Sequence, residues 1–316
     1  MPEHLAMGGI VNTMIDQAIA TIAANNHSGA VEIAKQGAAI MLRCARTSEA
    51  STIEEFRQDL LQTGWALIQA QPTMAPLVNL VNMILWKIET IESPRALREA
   101  VAEVTNDFKR RLSVHQAAIA DAVPLLITEG AQILTNGRST TVQAALRHAQ
   151  RAGRCFRVVC AEGRPGCEGR AMASELAKDG IPVTFVVDAL AIAMAAQSQL
   201  VLVGADHLME NRLVNKIGTY GLVLAARAHN VPVYALCSSE KFLPPGYQPP
   251  PQTQWPAEQV WPDSPANIAI ENLYFDHTPM NEFSGIVTER GVLTTAGIEA
   301  WLAATTLHPA LQQSPT

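Results

Sequence analysis

Residues 132–137 read QILTNG, and residues 156–165 read FRVVCAEGRP. In both stretches a short apolar run ends abruptly in polar and glycine residues. Three similar apolar runs follow, at residues 182–187, 200–204 and 231–236, and segments with helical spacing separate them. Apolar strands that alternate with helices are typical of a parallel sheet that is covered on both faces. This part of the chain is therefore predicted to be a doubly wound α/β domain.

The first third of the chain has the pattern of helices alone. Alanine, isoleucine and leucine recur there at helical spacing in five segments. The segments are residues 7–24, 31–46, 53–69 and 77–89, and a long one from 93 toward 126. We predict an all-helical N-terminal domain over residues 1–112 and a Rossmann-like α/β domain over residues 113–316. Residues 243–265 are rich in proline and are predicted to be an extended surface excursion.

The composition is that of a folded protein with an acidic balance. Of the 316 residues, 48% are hydrophobic and 16% are charged. An average protein has about 25% charged residues, so a large buried core is expected here. The formal net charge of −6 argues against a nucleic-acid partner, which would favour a basic surface. No apolar run reaches the roughly 20 residues of a membrane span, so no membrane partner is predicted.

The cysteines and histidines predict neither disulfides nor a metal site. The five cysteines are an odd number without a CxxC pair, and the polar first residues lack the basic lead of a signal peptide. These features predict reduced thiols and a cytoplasmic protein. The eight histidines form no HxH or HExxH arrangement. No metal is predicted, and without a GxGxxG motif no dinucleotide cofactor is predicted either.

Polar side chains follow the predicted strands at the edge where such sheets bind ligands, the carboxyl ends of the strands. Glycines there let a ligand approach the backbone, and arginine or lysine suits an anionic group. The candidate ligand-binding residues are Asn136, Gly137, Arg138, Ser139, Glu162, Arg164, Asn215 and Lys216, and Asp206 follows the fourth strand at the same edge.

Several motifs of the α/β part together resemble one family of proteins. They are Glu162-x-Arg164-Pro165, Gly169-Arg170, Gly204-Ala205-Asp206, Asn215-Lys216-Ile217-Gly218-Thr219 and the stretch Ser238 to Phe242. This series resembles the superfamily of methylthioribose-1-phosphate isomerase, ribose-1,5-bisphosphate isomerase and the α, β and δ subunits of initiation factor 2B. The resemblance is strong over residues 127–242. It is weaker in the helical part, where it rests on Ser28-Gly29-Ala30, Pro72-Thr73 and Asn79.

The resemblance implies a sugar-phosphate site with three changed positions. The isomerases use an aspartate in the Gly-Ala-Asp turn, where Asp206 stands, and a cysteine after the first strand, where this chain has Gly137. They also read Arg-Gly-Ala where this chain has Ser28-Gly29-Ala30, a segment that is expected to help bind the ligand. Family members often have an arginine in the position of Gln71. A missing anion-binding guanidinium removes a contact worth about 1.5–3 kcal/mol.

The individual residues leave alternatives open. Asp206 is either an acid–base group or a carboxylate that caps the following helix. Lys216 either contacts a phosphate or forms an internal salt bridge with Asp206 or Glu162. Cys160 ends an apolar strand and is predicted to be a buried, inert thiol. Cys167 lies between two arginines and is the first candidate to replace the missing thiol, with an unreactive role as the alternative.

Two functions from different classes follow. The first is a cytoplasmic homodimer that binds a phosphorylated sugar or nucleotide-like ligand, and that as an enzyme would be a divergent aldose–ketose isomerase using Asp206. The alternative is a non-catalytic regulatory protein that resembles the α subunit of initiation factor 2B and acts through protein partners. The retained Asp206 favours the first, whereas Gly137 and Ser28 favour the second. The fold alone does not distinguish them.

Overall fold

The computed structural model describes residues 3–25, 29–252 and 254–312, and these residues form two compact units. The first unit comprises Met1–Ser113 together with two later segments, Glu240–Pro250 and Thr305–Thr316. The second comprises Val114–Ser239 and Pro251–Ala304. The first division of the chain thus falls one residue after the sequence-based boundary at 112, and two later segments belong with the helical part.

The first unit is built from helices whose ends the sequence marks clearly. The helices are α1 (Glu3–Ala23), α2 (Ala30–Thr47), α3 (Ile53–Ala70), α4 (Ala75–Ile88) and α5 (Pro94–Ala122), the last extending into the second unit's residues. Thr52 caps α3 in a reciprocal capping box with Glu55, which satisfies otherwise unpaired backbone N–H groups. Phe56, Leu60 and Leu67 place the apolar stripe of α3 in the core. Of the helices that the structure describes, none is long and apolar enough to cross a membrane.

Two late segments of the chain complete this unit by hydrogen bonding to α4. The Asn79 amide donates to the carbonyl oxygens of Glu240 and Phe242, at 2.8 Å each. The Asn82 amide donates to the Thr306 carbonyl at 3.0 Å and accepts from the His308 N–H at 2.7 Å. One helix therefore holds residues that lie more than 160 positions later in the chain.

The second unit contains the predicted parallel sheet. Its strands are β1 (Ala131–Asn136), β2 (Phe156–Ala161), β3 (Val183–Val186), β4 (Leu200–Val203), β7 (Val233–Leu236), β9 (Gly285–Thr288) and β10 (Gly291–Leu293). The sequence analysis predicted the first five of these and missed the last two. They lie in the order β10-β9-β7-β4-β1-β2-β3, and only β10 is antiparallel to its neighbour. The six parallel strands, counted among themselves, have the doubly wound order 3-2-1-4-5-6, which confirms the predicted fold class. The order reverses between β1 and β4, so the ligand crevice of such folds falls there.

Helices that lie between these strands or after them bury the apolar side chains of the sheet. They are α6 (Thr140–Arg151), α7 (Gly169–Lys178), α8 (Asp188–Met194), α9 (Thr219–Ala228) and α10 (Thr295–Ala303). Leu146 of α6 and Met172 of α7 join Val158 and Leu202 of the sheet in one fully buried core. Burial on this scale stabilises the fold by about 1.5–3 kcal/mol for each large apolar side chain.

The sequence analysis missed a second, three-stranded antiparallel sheet. It has the order β5-β6-β8 and consists of β5 (His207–Met209), β6 (Arg212–Lys216) and β8 (Phe275–Pro279). Asn215 and Lys216, which the sequence analysis grouped with the polar residues after the predicted parallel strands, are the last two residues of the antiparallel strand β6. This sheet fixes their backbone by pairing, which a loop would not do. Residues 243–265 are irregular, with the 3₁₀ turn Ala257–Gln259 as the single helical segment among those described.

Candidate functional site

The segments that follow β1, β2 and β4 meet the end of β6 beside the point where the strand order reverses. A β-carbon on Gly163 would lie 2.9 Å from the Cα atom of Gly137. A β-carbon on Gly137 would lie 3.3 Å from Cγ of Lys216, and one on Gly204 would lie 2.7 Å from Oγ of Ser139. The structure thus brings together four of the segments that the sequence analysis selected.

Buried amides fix the backbone around Lys216. Asn136 donates from Nδ2 to the carbonyl of Ile217 at 3.2 Å, and Asn215 donates from Nδ2 to Oγ1 of Thr219 at 3.0 Å. The Thr219 hydroxyl in turn donates to the carbonyl of Lys216 at 2.6 Å. Asn136 and Asn215 therefore hold the end of β6 in place, which is a positioning role that the sequence analysis did not assign to them.

Lys216 is buried and forms an ion pair, but with a different residue from the two considered in the sequence analysis. Its Nζ atom lies 3.1 Å from Oε1 of Glu168, in the loop after β2. The same ammonium lies 4.1 Å from the ring centroid of Tyr274, over the aromatic face. Only 8% of the lysine surface is exposed. The expected salt bridge is present, and its partner is Glu168 rather than Asp206 or Glu162.

The two candidate arginines also have partners within the protein. Arg138 pairs with Glu175 of α7 at 3.2 Å. The exposed Arg164 donates from Nη2 to the carbonyl of Val260 at 2.9 Å. The carboxylate of Asp188 accepts the backbone N–H groups of Gly163 and Arg164 at 2.8 Å each, and so shapes the loop after β2.

The remaining candidates of the sheet edge lie at strand ends. Asp206 is half-buried, follows β4 closely, and donates its backbone N–H to the carbonyl of Val214 at 2.9 Å. Ser139 caps α6, because its hydroxyl accepts the N–H of Val142 at 3.3 Å. Glu162 is half-buried, and its carbonyl accepts the N–H of Gly169 at 2.9 Å.

The thiols near this edge differ in their surroundings. Burial raises the pKa of the Cys160 thiol to about 12, so it stays protonated and inert at neutral pH. Cys167 is half-buried with a left-handed backbone, φ 55°, and its Sγ donates to the carbonyl of Pro165 at 3.7 Å. Gly137 also has left-handed backbone, φ 61°, where a residue with a β-carbon is strained.

Three residues of this region were missed by the sequence analysis: Glu168, Tyr274 and Asp276. Asp276 of β8 accepts the N–H groups of Gly218 and Tyr220 at the start of α9, at 2.8 and 3.0 Å. Burial raises the pKa of the Asp276 carboxyl to about 6, although these N–H groups oppose the shift. Glu168 stands between two motifs that the sequence analysis quoted, at Glu162 and Gly169. Its position between them could have identified it as a candidate site residue. Nothing in the spacing pointed to Tyr274 or Asp276, because β8 was not predicted.

The candidates of the helical part belong to the first unit. Gly29 precedes α2 and Ala30 begins it, whereas Ser28 lies outside the described residues. Gln71 donates from Nε2 to the carbonyl oxygens of Ile22 and Asn25, at 2.8 and 3.2 Å. Its amide therefore ties the end of α3 to the end of α1. This is a structural role that places no cation at the position where family members often have an arginine.

The site as a whole combines a buried cation, hydroxyl and amide groups, and a half-buried aspartate. Among the described residues, no three histidine, cysteine, aspartate or glutamate side chains are grouped so as to hold a metal ion. Fold and site together define a doubly wound α/β protein with polar groups gathered where the strand order reverses. This is the usual place for a small ligand in such a sheet.

Comparison with known proteins places the chain more exactly. Residues 26–295 match the initiation factor 2 subunit family, and the chain belongs to that family. It is 31% identical over 270 residues to the ribose 1,5-bisphosphate isomerase of Haloferax volcanii, covering 83% of each chain. It is 33% identical over 278 residues to the methylthioribose-1-phosphate isomerase of Geobacter metallireducens, covering 79% of this chain and 78% of that one.

Solved structures agree with this assignment. The structure of translation initiation factor eIF-2B from Pyrococcus horikoshii OT3 superposes with a TM-score of 0.75 at 27% identity. The match covers 89% of this chain and 96% of that chain. The resemblance found in the sequence motifs is therefore confirmed, and the family contains both proteins named as isomerases and proteins named as initiation factors.

Proposed function

We propose that this protein binds a small phosphorylated ligand, a sugar phosphate or a nucleotide-like molecule, at the carboxyl ends of β1 and β4. The observation that carries the proposal is the buried ammonium of Lys216 beside Gly137, where the strand order reverses. Lysine is rarely this buried unless it is paired with an anion; here Glu168 supplies one carboxylate contact at 3.1 Å, and phosphate is the anion that such sheets commonly bind at this edge. Relatives named as sugar-phosphate isomerases support the same class of ligand.

The experiment compares Lys216→Ala with Lys178→Ala. Lys178 ends α7 and is exposed, so its loss removes the same charge without touching the site. A thermal-shift screen of sugar phosphates supplies the ligand, and calorimetry then measures its Kd. We expect Lys216→Ala to weaken binding about tenfold or more, since a charge-assisted contact is lost, and Lys178→Ala to leave it unchanged. Equal losses in the two variants would place the site elsewhere.

Catalysis is the narrower part of the proposal. As an enzyme the protein would be a divergent isomerase in which Asp206 moves the proton, because an intramolecular shift between two carbons needs an acid–base group. The second candidate function is that of a non-catalytic regulatory protein acting through protein partners. Gly137 favours this second candidate, since it offers no side chain where the isomerases carry a thiol.

We further propose a homodimer that acts in the cytoplasm. Exposed apolar side chains lie on the edge strand β3, on the residue that links it to α8, on α8 and on α9: Phe185, Val187, Leu190, Ile192 and Leu224. An apolar edge of this kind is typical of surfaces that pair with another chain. All five cysteines are free, in keeping with a reducing compartment.

A further inference from the structure

The ion pair at Lys216 is unusual, because only one of the two carboxylate oxygens of Glu168 has a hydrogen-bond partner among the described residues. Oε1 of Glu168 meets the ammonium at 3.1 Å. Oε2 of the same carboxylate is buried and has no hydrogen-bond partner within the described part of the chain. Buried carboxylate oxygens are normally hydrogen bonded, and leaving one unpaired is unfavourable.

The backbone around Glu168 explains how the carboxylate reaches this position. A β-carbon on Gly166 would lie 2.5 Å from Oε1 of Glu168, and one on Gly163 would lie 3.3 Å from its Oε2. The loop thus leaves room for the carboxylate only because glycine stands on both sides. Glu168 also precedes α7 in the capping position, yet its side chain accepts no hydrogen bond from that helix.

Lys216, in contrast, requires an anion. A buried ammonium without a counterion is strongly disfavoured, and the face of the Tyr274 ring compensates only in part. Glu168 therefore supplies a counterion that is adequate for Lys216 but costly for itself. A phosphate could take the place of the carboxylate at the same ammonium. Glu168 would then no longer hold a buried oxygen without a hydrogen bond.

We propose that Glu168 is a specificity-determining residue that occupies the phosphate position on Lys216 and is displaced when the ligand binds. The inference rests on the proposed function, since it takes Lys216 as the phosphate contact. A dianionic phosphate outcompetes the single charge of the glutamate at this ammonium, whereas a carboxylate ligand offers no such advantage. The site thereby selects phosphorylated ligands over carboxylates of similar size.

The test measures the binding of inorganic phosphate by calorimetry in the full-length protein. Glu168→Gln removes the competing charge and keeps the side-chain length, so phosphate should bind about tenfold more tightly than to the wild type. Glu282→Gln is the matched control, since it too removes a carboxylate from an ion pair. The partner of Glu282 is the exposed Arg227 and not Lys216. Its Kd should equal that of the wild type. The gain should vanish in the double variant Glu168→Gln, Lys216→Ala.

The outcomes separate the inference from the proposed function. If phosphate binding depends on Lys216 but Glu168→Gln binds no more tightly than the wild type, the inference is wrong and the proposed function stands. An equal gain in phosphate affinity in Glu282→Gln would also overturn the inference, because the gain would then be a general effect of removing a negative charge. If Lys216→Ala binds phosphate as the wild type does, the proposed function itself fails. Thermal melting checks the fold of each variant, and Glu168→Ala provides a second test if the glutamine variant does not fold.

Discussion

At the scale of single residues, Gly137 shows how backbone and chemistry act together. Its left-handed conformation and its closeness to Lys216 mean that any side chain there is strained by the backbone and pressed against the lysine. A cysteine introduced at this position would have to move Lys216 by a few tenths of an ångström or bend its own backbone. The local geometry of this chain therefore favours glycine over cysteine at position 137.

We expect little or no turnover of ribose 1,5-bisphosphate or methylthioribose 1-phosphate. A proton-transfer group contributes roughly 10²–10⁴-fold in rate, and none stands at Gly137. Gly137→Cys alone should restore little, because the two anion-binding arginines remain absent and the backbone is strained. A coupled isomerase assay would compare the wild type, Gly137→Cys, and Gly137→Cys combined with Ser28→Arg and Gln71→Arg. Strong wild-type turnover that disappears in Asp206→Asn would contradict this and would direct attention to Cys167.

Asp276 makes the stability of the fold depend on pH. Its carboxyl has a pKa of about 6 in the folded chain, against an ordinary aspartate value of 3.8, so the folded state favours the protonated form. The stability this group contributes is complete below pH 4 and is lost as the pH rises through 6. In Asp276→Asn, the amide oxygen can still accept both N–H groups. The stability of this variant relative to the wild type should therefore rise by about 1–2 kcal/mol between pH 4 and pH 7.

Urea denaturation at several pH values measures this difference. Asp263→Asn is the control, because Asp263 is exposed and its variant should follow the wild-type curve. A gap between Asp276→Asn and the wild type that stays constant with pH would show that ionisation of Asp276 is not its cause.

At the scale of elements, the sequence predicted the five strands whose apolar runs alternate with helical segments, and it missed β9 and β10 as well as the three strands of the antiparallel sheet. Strands β1, β2 and β4 are almost entirely buried, so their runs are uninterrupted and easily recognised. Strand β6 contains Arg212, Asn215 and Lys216, and β8 contains Asp276 and a proline, so neither shows an apolar pattern. The candidate site was located for the same reason: it follows from the parallel strands, whereas Glu168 and Tyr274 depend on contacts that distant segments make.

The link between α4 and the segment after β7 should be measurable in Asn79→Ala. The substitution removes two hydrogen bonds of 2.8 Å and leaves the carbonyls of Glu240 and Phe242 without this donor. We expect a loss of about 2 kcal/mol in the free energy of unfolding. Asn106→Ala, on an exposed position of α5, is the control and should change stability by less than about 0.5 kcal/mol. Equal effects of the two substitutions would mean that the Asn79 bonds contribute nothing.

At the scale of the whole molecule, the exposed apolar side chains of β3, α8 and α9 bear on assembly. Strand β3 is at the end of the sheet, and α8 follows it after one residue. A β-carbon on Gly221 of α9 would lie 3.5 Å from Cδ1 of Ile192, so α8 and α9 are direct neighbours. The exposed apolar side chains of these three elements are the place where we expect a second copy to bind.

Leu190→Asp should convert the protein from a dimer into a monomer of 34.0 kDa. A buried aspartate without a partner at an apolar interface costs several kcal/mol, enough to dissociate a dimer at micromolar concentration. Light scattering gives the mass directly. Leu125→Asp is the control, since Leu125 is 82% exposed and lies in the 3₁₀ turn after α5. A wild type that is already monomeric, or a Leu190→Asp variant that remains dimeric, would rule out this surface as the interface.

The helices of the first unit are synthesised before the α/β unit, whereas the segments that complete them are synthesised later, one of them after the last residue of the α/β unit. Asn82 cannot meet Thr306 and His308 until translation has proceeded about 190 residues past the end of the first 113. At a synthesis rate of about 5–20 residues per second, the nascent helices remain without these segments for roughly 10–40 s. Leu307 and Leu311 are buried in the finished unit, so the growing chain presents an uncovered apolar surface during that interval. The α/β unit, whose last residue is Ala304, has all of its strands before the helical unit has all of its parts, and the order of completion is therefore the reverse of the order of synthesis.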